Sequence, residues 1–273
     1  MDENIFALAS RNFLKANCTS ITQKYGRAED IIPTLTEKFD SLWADPSRRE
    51  THGKRMSVNA DDYQPPLKWV MSQQVKGVQG IKISPAITFD SLPIGWVREW
   101  IGFHRECKEQ ILWKNTDVID GTVTLVDKGI AWSPKQKREA DLLTIESAKY
   151  LVEPHPALIR SGYLGEFYRE HSLQVLDRSI AYGVSVHEPK TSEFLTTFSA
   201  IESFPFNTKS LQHRLNDLKW NKETEIKKRG FPELPDEVRK RLKFAQSDER
   251  GVIFLTQAQG KKMVILAKRL TVL

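Results

Sequence analysis

The sequence predicts an α+β fold, mostly helical, closing on a basic unit of two helices and a hairpin. Three observations lead there. Apolar residues recur at helical spacing through most long segments. The alternating or continuous apolar runs bounded by Gly and Pro are short. The positive charge is gathered at the C-terminal end. With 273 residues, 40% hydrophobic and 28% charged, the chain can bury a core, and its seven Trp and thirteen Phe raise the burial per residue.

Taken in order, Ile5, Phe6, Ala9, Phe13 and Leu14 form one helical stripe, with Asp2 and Glu3 at the positive helix end. Pro33 suits the first turn of a second helix carrying Leu35, Phe39, Leu42 and Trp43. Asp45 to Pro66 reads as a long polar loop, and its Arg48, Arg49, Lys54 and Arg55 could form a nucleic-acid-contacting arm. Leu67 to Lys76 reads as a short helix and Ile81–Ile83 as a strand. Val97, Trp100, Ile101, His104 and Ile111 place a helix over Ile94 to Trp113, with His104 at the edge of the core. Asp120-Gly121 signals a hairpin between 117–119 and 122–126, and a second turn leads into Ile130–Trp132. Ser133-Pro134 opens a helix that Pro154 stops. Strand character returns between Leu173 and Val186, and a polar break at 187–192 separates a first domain, 1–190, from a second, 191–273.

The net charge is +6. From Asn207 onward there are 16 Lys and Arg against 8 Asp and Glu, whereas the rest of the chain has 25 against 27. Such asymmetry points to a polyanionic partner, DNA or RNA, with a solvated basic surface as the alternative. In the second domain, Thr191 or Ser192 can cap a helix bearing Phe194, Leu195, Phe198 and Ile201. Asn207 or Thr208 can cap another, with Leu211, Leu215 and Leu218 on one seam. Its opposite face offers Lys209, Gln212, His213, Asn216 and Lys219, residue types that suit base edges and phosphates in a major groove. Two further apolar runs, 251–256 and 263–266, flank a turn followed by Lys261-Lys262. The pattern of two helices and a basic hairpin resembles a winged helix. That resemblance implies DNA binding, with the second helix reading bases and the hairpin lying on the phosphate backbone. Between the two lies a charged insertion, 221–250, carrying Lys227, Lys228, Arg229, Arg239, Lys240 and Arg241, with a helix begun at Pro235.

Chemistry is harder to find. No GxxxxGK[ST] or GxGxxG loop occurs, and His52, His104, His155, His171, His187 and His213 are scattered without metal-ligand spacing. Two cysteines, Cys18 and Cys107, make no disulfide framework and read as small apolar residues on helix faces. Glu225-Ile226-Lys227 has a local nuclease-like form in a stretch that reads as helix. The Met1-Asp2-Glu3-Asn4 start is acidic where a secretory signal is basic, and no run of 18 apolar residues occurs, so a cytoplasmic location without a membrane partner is expected. The composition predicts a cofactor-free, non-enzymatic nucleic-acid-binding protein: a replication or transcription factor, or a subunit of a nucleoprotein complex with other proteins. A nuclease is the alternative, and a structural subunit on an acidic protein is a further one.

Overall fold

The structure is a computed structural model that describes residues 3–35, 39–47, 62–89 and 92–270. Thirteen strands dominate the described residues, and of seven α-helices only α1 (Glu3–Lys15) and α6 (Thr208–Leu218) exceed seven residues. The strands fall into two mixed sheets, so the mostly helical expectation is overturned. The chain divides into two compact units, Met1–Trp96 with Ile111–Asp117, and Val97–Gln110 with Val118–Leu273.

In the first unit, β1 (Leu42–Ala44) pairs in parallel with β2 (Gln79–Ile83). Most of β2 is buried, as a parallel strand covered on both faces should be. The core gathers Tyr63, Leu67, Val70, Ile81, Ile83, Trp96 and Leu112. Ser84 N–H donates to the buried Tyr63 hydroxyl at 2.8 Å, which anchors the carboxyl end of β2. Gly80 is required by close approach, because a Cβ there would sit 2.5 Å from the Trp43 ring. The second helix expected after Pro33 is only a 3-10 turn over Ile32–Thr34, and Leu42 and Trp43 lie in β1. Arg48, Arg49, Lys54 and Arg55 fall outside the described residues.

Strands β3 (Trp96–Phe103) and β4 (Glu106–Lys114), whose residues are divided between the two units, occupy the segment expected to be the Ile94–Trp113 helix. The apolar spacing there fits both periods, and the β-branched and aromatic content decides for strand. His104 therefore sits at the turn between β3 and β4, exposed, with φ +53°. Cys107 lies on β4 rather than on a helix, and burial pushes its thiol up to about 12. Cys18 is exposed just beyond α1. Strand β5 (Thr122–Leu125) pairs in parallel with β3 and antiparallel with β6 (Ile130–Trp132). Asp120-Gly121 closes no hairpin: the Asp120 carboxylate accepts from the Arg98 backbone N–H and guanidinium at 2.6–2.9 Å, and from Tyr163 Oη at 3.0 Å. The helix expected after Ser133-Pro134 is a 3-10 turn at Ile145–Ser147 followed by β7 (Tyr150–Pro154).

The seven-stranded sheet runs β11-β12-β13-β10-β7-β9-β8. Its members are β8 (Gln174–Val175), β9 (Gly183–Ser185), β10 (Leu195–Pro205), β11 (Glu225–Lys228), β12 (Val252–Ala258) and β13 (Lys261–Arg269), with β7. The expected helix over 192–204 is thus strand β10. Phe194 and Phe198 are four apart, a spacing that shares a face in helix and strand alike, and Thr196 and Thr197 between them favour the strand. Ile201, the fourth residue of the supposed helical stripe, is 45% exposed. Strands β12 and β13 are buried on both faces. Phe254, Met263, Ile265 and Ala267 face a core with Tyr182 and Phe198, and Ile253, Leu255, Val264 and Leu266 face one with Leu211, Leu215 and Trp220. A wing needs free edges. This hairpin is flanked by β11 and β10, so the winged-helix reading fails. The Phe254 ring meets Tyr182 and Phe198 edge-on at 5.2 and 4.8 Å. Phe254→Ala should destabilise this unit by about 3–5 kcal/mol, read as a lower denaturant midpoint with an unchanged m-value.

Candidate functional site

Helix α6 is capped by Asn207, whose side-chain oxygen accepts from Lys209 and Ser210 N–H at 2.9 and 3.1 Å. Its polar face is not a free reading surface. The Gln212 amide donates to Lys243 O at 2.8 Å and accepts from Lys243 N–H at 2.7 Å, and it also donates to Asn216 at 2.9 Å. Gln212 therefore ties α6 to the segment after α7 (Pro235–Arg239). His213 pairs with Asp217 at 3.0 Å, Lys219 takes the left-handed position that ends the helix, and Lys209 is exposed. Arg239 is structural, donating to the carbonyls of Lys222 and Thr224. Arg241 is paired with Glu233. Lys228 is half-buried; Lys240, Lys261 and Lys262 are exposed. The turn before Lys261 has two residues, Gln259 and Gly260, both with positive φ, which fits the twist of a two-residue hairpin.

The structure brings Lys227 and Arg229 together with residues that sequence spacing did not connect. A cleft of about 310 Å³ is lined by Arg105, Lys128, Glu153, Glu193, Lys227 and Arg229, with His155 in its wall. The Glu153 carboxylate bridges Arg105 and Lys227, each at 2.8 Å. Lys227 also meets Glu225 at 3.0 Å, and Glu225 meets Arg269 at 2.9 Å. Burial disfavours the Glu225 charge, but Lys227 and Arg269 outweigh it and hold the carboxyl below its usual range. The Glu225-Ile226-Lys227 segment is strand β11, not helix, and its charges serve this ladder. No set of three His, Cys, Asp or Glu side chains gathers as metal ligands among the described residues.

His155 is buried and doubly used. Its Nδ1 accepts from Ala157 N–H at 3.1 Å, which leaves the proton on Nε2, 2.8 Å from the His104 carbonyl. Gly102 makes room for it, since a Cβ there would lie 2.5 Å from the imidazole. Burial lowers the pKa of His155 below 6.5, with the hydrogen bond to His104 opposing. The unfolded chain then takes up a proton before the folded one does as pH falls.

A second polar group marks the first unit. Asp45 follows β1 at its carboxyl end and receives Lys82 at 3.0 Å. Ligands of parallel α/β sheets collect at such strand ends. Asp45 opens the segment expected only as a loop, and its signal in the sequence was an acidic residue directly after a short apolar run.

The chain is similar to known proteins along most of its length. The THUMP domain-like family matches residues 195–269, from the first residue of β10 to the last of β13. Two Mycobacterium tuberculosis proteins, from strains CDC 1551 / Oshkosh and ATCC 25618 / H37Rv, are 26% identical over 240 residues; both are named as uncharacterized S-adenosylmethionine-dependent methyltransferases. The alignment takes in 86% of this chain and 64% of theirs. A crystal structure described as a "putative methyltransferase" from Porphyromonas gingivalis W83 superposes with a TM-score of 0.64 at 24% identity, over 85% of this chain and 60% of that one, a likeness of fold. These findings overturn the non-enzymatic DNA-binding factor, the nuclease and the structural subunit. No helix among the described residues is long and apolar enough to cross a membrane.

The donor named for the relatives needs a seat for its nucleoside and its charged amino-acid end. In parallel α/β sheets a glycine-rich turn at a strand's carboxyl end serves that purpose. Around β1 and β2, Gly77 is packed on Asp40 O and Gly80 on the Trp43 and Trp113 rings, so neither opens a cradle. Neither of these two glycines supplies that seat.

Two outcomes follow. Gln212→Ala should cost roughly 1–2 kcal/mol of stability from the lost bonds to Lys243, measured by denaturant unfolding, and should leave any base preference unchanged. Stability of the wild type should fall as pH drops from about 6.5, levelling once folded His155 also protonates. That decline should be absent in His155→Gln, and it is read from thermal midpoints between pH 5 and 8.

Proposed function

We propose that this chain is the acceptor-binding part of an S-adenosylmethionine-dependent methyltransferase whose acceptor is RNA. The observation that carries this is the THUMP domain-like match over β10–β13, inside a chain aligned along most of its length with proteins named as methyltransferases. The matched block overlaps the basic quarter of the chain, and its exposed Lys209, Lys240, Lys261 and Lys262 suit phosphate contacts. RNA is recognised largely through shape, phosphates and 2′-hydroxyls rather than by a helix in a major groove. That accords with a site built on a sheet and its loops, and with an α6 whose Gln212 is already engaged.

The test is binding and product together. A labelled RNA hairpin should bind more tightly than DNA of the same sequence. Removing both Lys261 and Lys262 by alanine substitution should weaken it on all sequences and flatten the slope of log K against log salt by roughly 0.7–0.9 per lysine. The RNA recovered with the chain from cells, digested and analysed by mass spectrometry, should hold a methylated nucleoside, and the same RNA species purified independently from cells lacking the gene should not. Equal affinity for RNA and DNA with no such nucleoside would overturn the reading.

A further inference from the structure

The cleft around Glu153 holds more positive than negative charge. Four cations, Arg105, Lys128, Lys227 and Arg229, face two carboxylates, Glu153 and Glu193. Lys128 is taken up by Glu193 at 3.1 Å, and Arg105 and Lys227 share Glu153. Arg229 makes no ion pair among the described residues, and its Nε is buried without a hydrogen-bond partner. The guanidinium is held instead over the Tyr182 ring, 5.2 Å from its centre. His155, in the same wall, spends its one N–H on the His104 carbonyl and adds no charge when neutral.

We propose that this cleft is a phosphate-binding subsite, with Arg229 as its principal donor and Glu153 as an internal competitor. A guanidinium with one buried, unused N–H is a poor resting state unless a ligand oxygen completes it. A phosphate has the oxygens to take Arg229 and, by displacing Glu153, to engage Arg105 and Lys227 as well. The subsite rests on the RNA reading, because it joins the β3–β4 turn to β11 inside the THUMP domain-like block. It adds that one phosphate, terminal or within the backbone, is gripped there.

The proposal predicts opposite signs for two charge-removing substitutions. Binding of a 12-residue RNA with a 5′-hydroxyl is measured first. Two 3′-labelled dinucleotides, 5′-phosphorylated and 5′-hydroxyl, are measured in parallel. Arg229→Gln should weaken phosphate-dependent binding about tenfold. Glu153→Gln should strengthen it, since Arg105 is released and Lys227 is left with Glu225 alone. If Arg229→Gln does not fold, Arg105→Gln, whose side chain is 58% exposed, should give a smaller loss. A preference for the 5′-phosphorylated dinucleotide identifies a terminal phosphate, and effects confined to the 12-mer identify a backbone phosphate. Unchanged 12-mer affinity in every variant, with the dinucleotides bound alike, would overturn the subsite and leave RNA binding standing. If the wild type ignores the 12-mer, the RNA reading falls, and the dinucleotide pair still decides the subsite: a 5′-phosphate preference lost in Arg229→Gln supports it, and equal binding overturns it.

Discussion

The second unit depends on the curl of its seven-stranded sheet. Lys227 lies on β11 and Glu153 on β7, four strands apart in the order of the sheet. In a flat sheet that is roughly 19 Å, yet their side chains meet at 2.8 Å. The sheet must therefore coil until β11 and β7 approach. Two features permit this. Strand β10 carries a bulge between Ala200 and Glu202, and bulges bend a strand and increase its twist. The concave side is filled by Phe198, Phe254 and Tyr182, packed edge-to-face, so the apolar burial that stabilises the fold also maintains its curvature.

Strand β10 makes this possible by pairing along both edges, with β7 over Leu195–Ser199 and with β13 over Phe198–Pro205. It joins the half of the unit bearing α4 (Pro156–Ser161) and the turn at His104 to the half bearing α6. Glu153, His155, Lys227 and Arg229 consequently share one cleft although more than 70 residues separate the first from the last. The helices play a supporting part. Helix α6 covers the outer face of β12 and β13 through Leu211 and Leu215, and its Gln212 fastens the charged segment that follows α7.

The local signals that were legible share a property: each is satisfied within a few residues. The stripe of α1, the Asn207 cap, the apolar runs of β12 and β13 and the turn at Gln259-Gly260 need no distant partner to be recognised. Where two periods coincide, the sequence was ambiguous. Phe194 and Phe198 lie on one face of a helix or of a strand, and so do Val97 and Ile101. Partner strands settled both cases, because an edge-paired β10 gains hydrogen bonds along its whole length that a helix would forgo.

The sequence by itself determined the charge asymmetry, the lack of a disulfide framework, the positions of several turns and a core rich in aromatic residues. It did not determine which polar residues are free. Gln212 and Arg239 look like ligands for nucleic acid until their partners, Lys243 in one case and Lys222 and Thr224 in the other, are placed beside them. Arg229 looks like one basic residue among many until burial leaves its Nε without a hydrogen-bond partner. Only the tertiary structure could decide these matters, because hydrogen bonds and desolvation depend on neighbours brought in by strand pairing, and the local sequence carries no record of that pairing.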